Sequence, residues 1–179
     1  MKLAKNRNPA RSKPARTPGA AQVPVVIETP KGSRNKLKYD PGKRAYKLSK
    51  AMPEGMVFPY DFGFVPGTKA DDGDPLDVLL LTDAPLFPGC LVDCALIGVI
   101  EAEQQEEGET ERNDRLIAVA RAALLYSGIE NIADLNPLVL KQIEEFFVNY
   151  QKVRNVKVKI LGHRGRDQAL QILRQSRKK

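Results

Sequence analysis

Short runs of apolar residues, separated by turn-forming residues, make up most of the chain from Val23 onward. Runs of about four to eight residues rich in valine, isoleucine and leucine, bounded by Gly, Pro, Asp or Asn, are typical of β-strands. The Pro41-Gly42 pair favours a tight turn and therefore predicts a hairpin. After a first strand near Val23, the pattern predicts strands over 36–40, 45–50, 56–64, 76–81, 91–101, 116–120 and 156–161.

Two helices are predicted, both towards the end of the chain. Over 137–153 apolar residues recur at intervals of three and four, while Asn136 suits the N-cap and Pro137 the first helical position. A shorter helix is predicted over 167–176. Because strands come first, helices last and no strand–helix–strand alternation occurs, we expect a mostly β fold of the α+β class. The expected architecture is a small barrel with helices packed outside.

The first 22 residues differ in composition from the rest of the chain. They combine prolines and basic residues with almost no large apolar side chain, which predicts a disordered basic tail at 1–22 ahead of one domain at 23–179. No apolar stretch approaches the length of a membrane span, and the tail has no secretory signal pattern. The sequence therefore predicts a cytoplasmic protein without a membrane partner.

The distribution of charge changes what the net charge implies. The formal net charge is +7, but the basic excess lies at the two ends of the chain and the middle is acidic. A basic patch on the folded body would favour a nucleic-acid partner, and basic ends do not. One histidine and two cysteines are too few for a tetrahedral zinc site. We therefore expect the chemistry to depend on carboxylates, lysines, arginines and tyrosines. Whether the protein forms a homo-oligomer is not decided by the sequence.

The strongest chemical signal is an acidic turn. Residues 72–77 read Asp-Gly-Asp-Pro-Leu-Asp and place the carboxylates of Asp72, Asp74 and Asp77 within six residues. Carboxylates held together repel one another unless a cation lies between them, and hard oxygen ligands favour Mg²⁺, Mn²⁺ or Ca²⁺. The alternative is an exposed acidic turn with no ligand.

This acidic motif resembles the signature of the soluble family I inorganic pyrophosphatases, and the resemblance extends over about residues 25–178. It implies a five-stranded OB-like β-barrel with helices packed outside. It also implies an enzyme that hydrolyses pyrophosphate to two phosphates. Further segments that resemble the family, in the family's order, are 32–36, 56–59, 62–68, 85–89, 98–100, 116–119 and 145–150.

The resemblance also implies roles for the acidic residues. The family uses several Mg²⁺ ions, with Mn²⁺ as an alternative cofactor, and the first ion binds at the positions of Asp72 and Asp77. Asp74 matches the aspartate that orients or deprotonates the attacking water, and it also counts among the predicted metal ligands. This is physically reasonable, because bound divalent ions activate water and screen the charge of the substrate.

Four further residues are implied to bind the substrate. Lys36 and Tyr150 match a phosphate-binding lysine and a phosphate-contacting tyrosine. Lys50 stands where the family has an arginine, and Arg115 stands where it has a lysine. These two exchanges keep the charge but alter the geometry of the donors.

At other positions the chain departs from the family pattern. Lys38 stands in place of a glutamate, Phe62 in place of a tyrosine and Gln151 in place of a lysine. Lys38 and Phe62, together with Gln104 and Asn113 in the segment described next, support a second hypothesis. It is a catalytically impaired protein of this fold that binds phosphate compounds or metal.

The largest departure is in the segment 101–114. Gln104 and Asn113 stand where the family has two metal-binding aspartates, and neutral amides cannot replace the lost charge. After a one-residue shift, Glu103 or Asp114 could supply a carboxylate, and Asp114 is the candidate metal ligand here. The other acidic residues of this segment are typical of a solvated hairpin.

We predict that residues 1–22 are dispensable for catalysis, because their composition offers neither an apolar core nor a candidate catalytic carboxylate. Deleting them should leave turnover of pyrophosphate unchanged in a phosphate-release assay. A large loss of activity in a folded truncated protein would show that the tail reaches the site.

Overall fold

A computed structural model describes residues 22–153 and 155–177 of the chain. The predicted tail at 1–22 lies outside these residues except for Gln22, which begins the first strand. The described residues form β1 (Gln22–Thr29), β2 (Asn35–Asp40), β3 (Ala45–Ala51), β4 (Asp61–Phe64), β5 (Asp77–Leu81), β6 (Leu91–Glu106), β7 (Glu109–Arg112), β8 (Arg115–Ala120), a 3-10 helix (Ile132–Asp134), α1 (Pro137–Lys152), β9 (Lys157–Gly165) and α2 (Arg166–Ser176).

The main sheet closes on itself. Strand β1 pairs with both β4 and β6, β5 pairs with β4 and β8, and β8 pairs with β6, so these five strands of the described chain form a ring. All pairs in the ring are antiparallel except β5 with β8. Strands β7 and β9 extend the sheet from β6, and β2 and β3 form a separate hairpin. The ring confirms the five-stranded OB-like fold that we expected.

Both faces of the ring are buried. In β5, Val78 and Leu80 pack into one apolar cluster, which α2 joins through Ala169 and Leu173. The alternate residues of β5 pack into a second cluster, against α1. Because successive side chains of a strand point to opposite faces, a strand covered on both faces must be apolar throughout. This explains why β5 is apolar from Val78 to Leu81, after its first residue, Asp77.

Helix α1 follows the predicted pattern. The side chain of Asn136 accepts a hydrogen bond from the backbone N–H of Leu138 (2.9 Å), and Pro137 occupies the first turn. Leu140, Ile143 and Phe147 are buried at the predicted three- and four-residue spacing. The N-cap and the apolar face therefore fix where the helix starts and which side meets the ring.

The strand predicted over 56–64 is wrong for its first half, since only Asp61–Phe64 is strand. Residues 56–60 instead make isolated hydrogen bonds to the preceding loop: Phe58 donates to Ser33 (3.0 Å) and accepts from Gly32 (2.8 Å). Pro59 has no N–H with which to continue a ladder. Phe58 is buried in a loop and Val57 is exposed, a difference that the hydrophobic pattern alone does not reveal.

Strands β6 and β9 run further than predicted. Beyond residue 101, β6 pairs with β7 on one side and β9 on the other, and its polar residues are part of the ladder. The acidic residues here form the expected hairpin, β6–β7. Backbone pairing with two neighbours thus maintains a strand where the apolar pattern has ended.

Gly98 allows β6 to approach its neighbours closely. A Cβ atom at this position would lie 2.6 Å from the carbonyl oxygen of Arg164 and 2.6 Å from Cβ of Ile132. The β6–β8 register shifts between Leu96 and Gly98, which marks a bulge. Any side chain at residue 98 would force β9 and the 3-10 helix away from the ring.

Neither helix in the described part of the chain is long and apolar enough to cross a bilayer.

Asp61 ties together the loops that border the hairpin. Its buried carboxylate accepts hydrogen bonds from the backbone N–H of Lys31 (2.9 Å), the backbone N–H of Leu86 (3.2 Å) and the hydroxyl of Thr82 (2.6 Å). These three donors come from two loops, the one before β2 and the one between β5 and β6. The contact therefore fixes where the chain enters the hairpin.

We predict that Asp61→Ala lowers the free energy of unfolding by about 2–4 kcal/mol, because a buried donor left without its acceptor costs about 1–3 kcal/mol. Urea denaturation measures this change. Asp83→Ala is the matched control, since Asp83 accepts two backbone N–H bonds in an exposed loop. Water can replace that acceptor, so the control should lose less than about 1 kcal/mol. Equal losses in the two variants would contradict the anchoring role.

Candidate active site

A single cavity of about 840 Å³ collects most of the predicted site residues. It lies between the β2–β3 hairpin, the acidic turn before β5, the base of the β6–β7 hairpin and the end of α1. Its charged and amide side chains are those of Glu28, Lys36, Lys38, Lys50, Asp72, Asp74, Asp77, Gln104, Glu106, Asn113, Arg115 and Gln151.

The backbone of the acidic turn directs its three carboxylates into this cavity. Asp72 accepts a hydrogen bond from the backbone N–H of Asp74 (3.0 Å), which tightens the turn. Gly73 adopts a φ of 85°, a conformation that favours glycine. Asp77 is the first residue of β5, and all three carboxylates line the cavity. The sequence motif is thus one wall of the site.

Lys38 forms an ion pair with Asp74. The distance from its Nζ to Oδ2 of Asp74 is 2.5 Å, and both side chains are about half-exposed. The hydrogen bond to Asp74 raises the pKa of Lys38, although burial partly opposes the shift. Lys38 is therefore charged at neutral pH and holds the carboxylate of the predicted base at the hairpin.

Arg115 forms a second ion pair, with Asp77. Its Nη1 lies 3.2 Å from Oδ2 of Asp77 and also donates to the side-chain and backbone oxygens of Asn113. The guanidinium group packs 5.7 Å from the ring centre of Phe147, and the residue is only 9% exposed. Burial against an aromatic ring leaves Arg115 little freedom, so this cation is fixed in place.

Lys36 and Lys50 bring two further cations to the cavity, and Tyr150 lies behind them. The Nζ atoms of Lys36 and Lys50 are each 5.6 Å from the ring centre of Tyr150, and that of Lys36 is 5.3 Å from the ring centre of Phe62. Burial alone would raise the pKa of the Tyr150 hydroxyl, but the two lysines reverse the effect and the pKa is lowered. The aromatic rings thus support the lysines rather than line the cavity.

The amides at the family's metal positions bond to other groups of the site. Gln104 accepts a hydrogen bond from the side chain of Gln151 (3.3 Å), and the Asn113 side chain accepts from Arg115. All four residues line the cavity. The departures at 104, 113 and 151 are therefore neighbours in space, although the sequence separates them.

Asp114 and Glu103, the candidate replacements, do not line the main cavity. The carboxylate of Asp114 accepts hydrogen bonds from Ala102 N–H (3.1 Å) and from Nε of Arg112 (2.6 Å). It borders an adjoining cavity of about 450 Å³, while Glu103 borders a small void beside Gln104. The structure therefore separates Asp114 from Asp74, whereas Asp72 and Asp77 border both larger cavities.

Glu28 is a site residue that the sequence reasoning missed. It is buried at the end of β1, accepts a hydrogen bond from the backbone N–H of Tyr39 (2.6 Å) and lines the main cavity. Burial raises the pKa of this carboxyl, partly offset by the bond from Tyr39. A glutamate that ends an otherwise apolar strand, after Val25, Val26 and Ile27, was the available signal.

The donor set fits one hard divalent cation. Within residues 22–153 and 155–177, no three histidine, cysteine or carboxylate side chains converge to complete a metal site. Mg²⁺ nevertheless binds through one or two carboxylates and keeps several waters. Asp72 makes no ion pair within these ranges, and Asp77 keeps one oxygen away from Arg115. Asp72 and Asp77 therefore suit one such ion, and the amides at 104 and 113 do not suit another.

Comparisons with known proteins agree with this geometry. The family model described as inorganic pyrophosphatase matches residues 25–179. An inorganic pyrophosphatase from Methanosarcina acetivorans is 37% identical over 153 residues, which cover 86% of this chain and 89% of that protein. Another from Thermus thermophilus is 37% identical over 155 residues, covering 85% and 86%.

Solved structures with similar folds carry the same description. The crystal structure of inorganic pyrophosphatase from Thermus thermophilus superposes with a TM-score of 0.82 at 35% identity, covering 93% of this chain and 95% of that one. The inorganic pyrophosphatase of Helicobacter pylori also gives a TM-score of 0.82, at 29% identity, covering 91% and 98%. The likeness extends over nearly the whole of each chain.

We predict that Glu28→Gln makes the stability of the protein less dependent on pH. The raised pKa means that the folded state holds the proton more tightly than the unfolded state. Stability is therefore lost as pH rises from the ordinary value of 4.5 through the pKa in the folded protein. Glutamine avoids this loss and keeps the acceptor for Tyr39. Urea denaturation at a series of pH values across this range measures the free energy of unfolding of both proteins. The stability of the variant relative to the parent should increase as pH rises. A difference in stability that does not change with pH would contradict the prediction.

Proposed function

The chain belongs to the inorganic pyrophosphatase family, and we propose on that premise that it hydrolyses pyrophosphate in the cavity between the hairpin and the acidic turn. The observation that carries this proposal is the convergence of the three carboxylates of residues 72–77 with four basic side chains around one space. Pyrophosphate is a compact polyanion, which needs basic groups to bind it and carboxylates to activate water beside it.

Lys36 and Lys50 bind the phosphate oxygens. Their ammonium groups lie on one wall of the cavity, where the ring of Tyr150 supports them and Phe62 contacts Lys36. Arg115 lines the same cavity and is held against Phe147 and Asp77. Fixed cations around the substrate stabilise the charge that builds up on the transferred phosphoryl group.

Asp74 accepts the proton of the attacking water. The water oxygen attacks one phosphorus atom, the bond to the bridging oxygen breaks, and that oxygen leaves with its electron pair as part of the second phosphate. Little beyond positioning and charge stabilisation is needed for such a displacement. Lys38 keeps the Asp74 carboxylate pointed into the cavity.

The family is metal-dependent, and Asp72 and Asp77 would hold the cofactor ion here, Mg²⁺ or alternatively Mn²⁺. When bound, such an ion supplies positive charge that activates water and screens the substrate. Asp114 borders the adjoining cavity together with Asp72 and Asp77, and its bonds to Ala102 and Arg112 both fall on Oδ1. Its Oδ2 would be the atom to reach an ion there, so we keep Asp114 as a candidate ligand.

A second candidate function rests on the ion pair between Lys38 and Asp74. A base already paired with an ammonium group is a poorer proton acceptor, which favours a catalytically impaired protein that still binds phosphate compounds. Phosphate release from pyrophosphate, measured while Mg²⁺ or Mn²⁺ is titrated, separates the two functions. Binding without phosphate release would establish the second.

Three further proposals come from the sequence. We place the catalytic domain at 23–179 and the protein in the cytoplasm, and we propose no nucleic-acid partner because the basic residues lie at the chain ends. Self-association of the chain is compatible with all of these proposals.

We predict that Asp74→Asn reduces turnover by roughly 10²- to 10⁴-fold, the usual contribution of a positioned general base. The phosphate-release assay measures it. Asp71→Asn is the matched control, because this neighbouring carboxylate lies outside the main cavity and should leave turnover unchanged. If Asp74→Asn remains within a few-fold of the parent while still binding metal, the assignment of the base is wrong.

A further inference from the structure

Basic side chains of the protein itself already pair with two of the carboxylates in the cavity. Asp74 is paired with Lys38 at 2.5 Å and Asp77 with Arg115 at 3.2 Å. The third carboxylate of the acidic turn, Asp72, makes no ion pair within residues 22–153 and 155–177. Two of the three carboxylates in the turn therefore already face a positive charge.

The pairing of Lys38 with Asp74 joins two distant parts of the chain. Lys38 lies on β2 and Asp74 in the turn before β5, 36 residues apart. The hairpin that carries Lys38 is anchored through the loop that leads into it, where Asp61 accepts the backbone N–H of Lys31. The ammonium group is thus brought to the carboxylate by the fold rather than by local sequence.

An ammonium group at this distance competes with a metal ion for the same oxygen. A divalent ion bound to Asp74 would lie only a few ångströms from Nζ of Lys38, and two positive charges this close repel strongly in a partly desolvated cavity. Arg115 blocks one oxygen of Asp77 in the same way but leaves the other. The rim formed by Gln104, Asn113 and Gln151 consists of neutral amides. The carboxylate of Glu106, which also borders the cavity, is exposed, so solvent screens its charge.

We propose that Lys38 is a built-in cation that takes the place of a divalent ion at Asp74, so that the chain binds one divalent ion in the absence of substrate. That ion lies at Asp72 and the remaining oxygen of Asp77. This role rests on the proposed function, because it assigns the charge of the hydrolytic site. Lys38 acts through Asp74 and is a positioning residue.

The proposal gives Lys38 a specific consequence. Removing its charge frees Asp74 to act as a ligand together with Asp72, and the site then accepts a second ion. Lys38→Met removes the charge and keeps most of the length of the side chain. Because Lys38 is half-exposed, its replacement should not disturb the fold, and Lys38→Gln serves as a second variant with the same charge change.

The experiment counts Mn²⁺ ions bound to the full chain without substrate, by equilibrium dialysis or from the paramagnetic signal of free Mn²⁺. The parent should saturate at about one ion per chain, and Lys38→Met and Lys38→Gln at about two, as expected if Mg²⁺-like ions bind through one or two carboxylates each. Lys43→Met is the matched control, since Lys43 lies in the turn of the same hairpin, outside the cavity, and should keep the parent count.

Two results would overturn the proposal: a parent that binds two or more ions, or Lys38 variants whose count equals that of the parent. Neither depends on catalysis, so the outcome is separable from the proposed function. If the chain hydrolyses no pyrophosphate but its Lys38 variants bind an additional ion, the role of Lys38 is supported and the proposed function is wrong. If the chain hydrolyses pyrophosphate but the ion counts do not change, the proposed function is supported and the role of Lys38 is wrong.

Discussion

Strand β6 carries the backbone pairing on which the remaining architecture depends. Its first part pairs with β1 and β8 and so closes the ring, and its later part pairs with β7 and β9. The bulge near Gly98 lets one strand serve both parts, because a side chain there would collide with Arg164 and Ile132. The same strand ends at the cavity, where it places Gln104. Closure of the ring and the position of one wall of the site are thus consequences of a single strand.

The site combines this rigid ring with a hairpin that is not part of it. The ring supplies the acidic turn before β5 and Arg115 at the start of β8. Strands β5 and β8 pair as parallel neighbours from Val78 and Leu116 onward, which brings their starts side by side. The hairpin supplies Lys36, Lys38 and Lys50. Asp61 anchors the loop before the hairpin, so the distance between the basic and acidic walls depends on a buried carboxylate that does not touch the cavity.

The charge distribution distinguishes this chain within a family whose fold it shares closely. Relatives at 37% identity and structures at a TM-score of 0.82 establish the scaffold and the reaction. The pairs in the cavity involve residues at which the sequence resemblance leads us to expect acidic side chains, namely Lys38, Gln104 and Asn113. A polyanionic substrate meets more fixed positive charge here, which favours its binding and disfavours additional metal ions at the same carboxylates.

The sequence alone determined the order of the elements, the helix α1 with its cap at Asn136, and the acidic turn, because these depend on residues close together in the chain. It overextended the strand at 56–64 and missed Glu28, since burial depends on neighbours that the sequence does not reveal. Only the tertiary structure decided that Lys38 meets Asp74, that Asp114 turns to Arg112 and that Tyr150 lies behind two lysines. Ion pairs depend on distance through space, and the fold brings Lys38 to Asp74 although 36 residues separate them in the chain. The pair between Arg112 and Asp114 is local, but the orientation of its side chains depends on the β6–β7 hairpin around it.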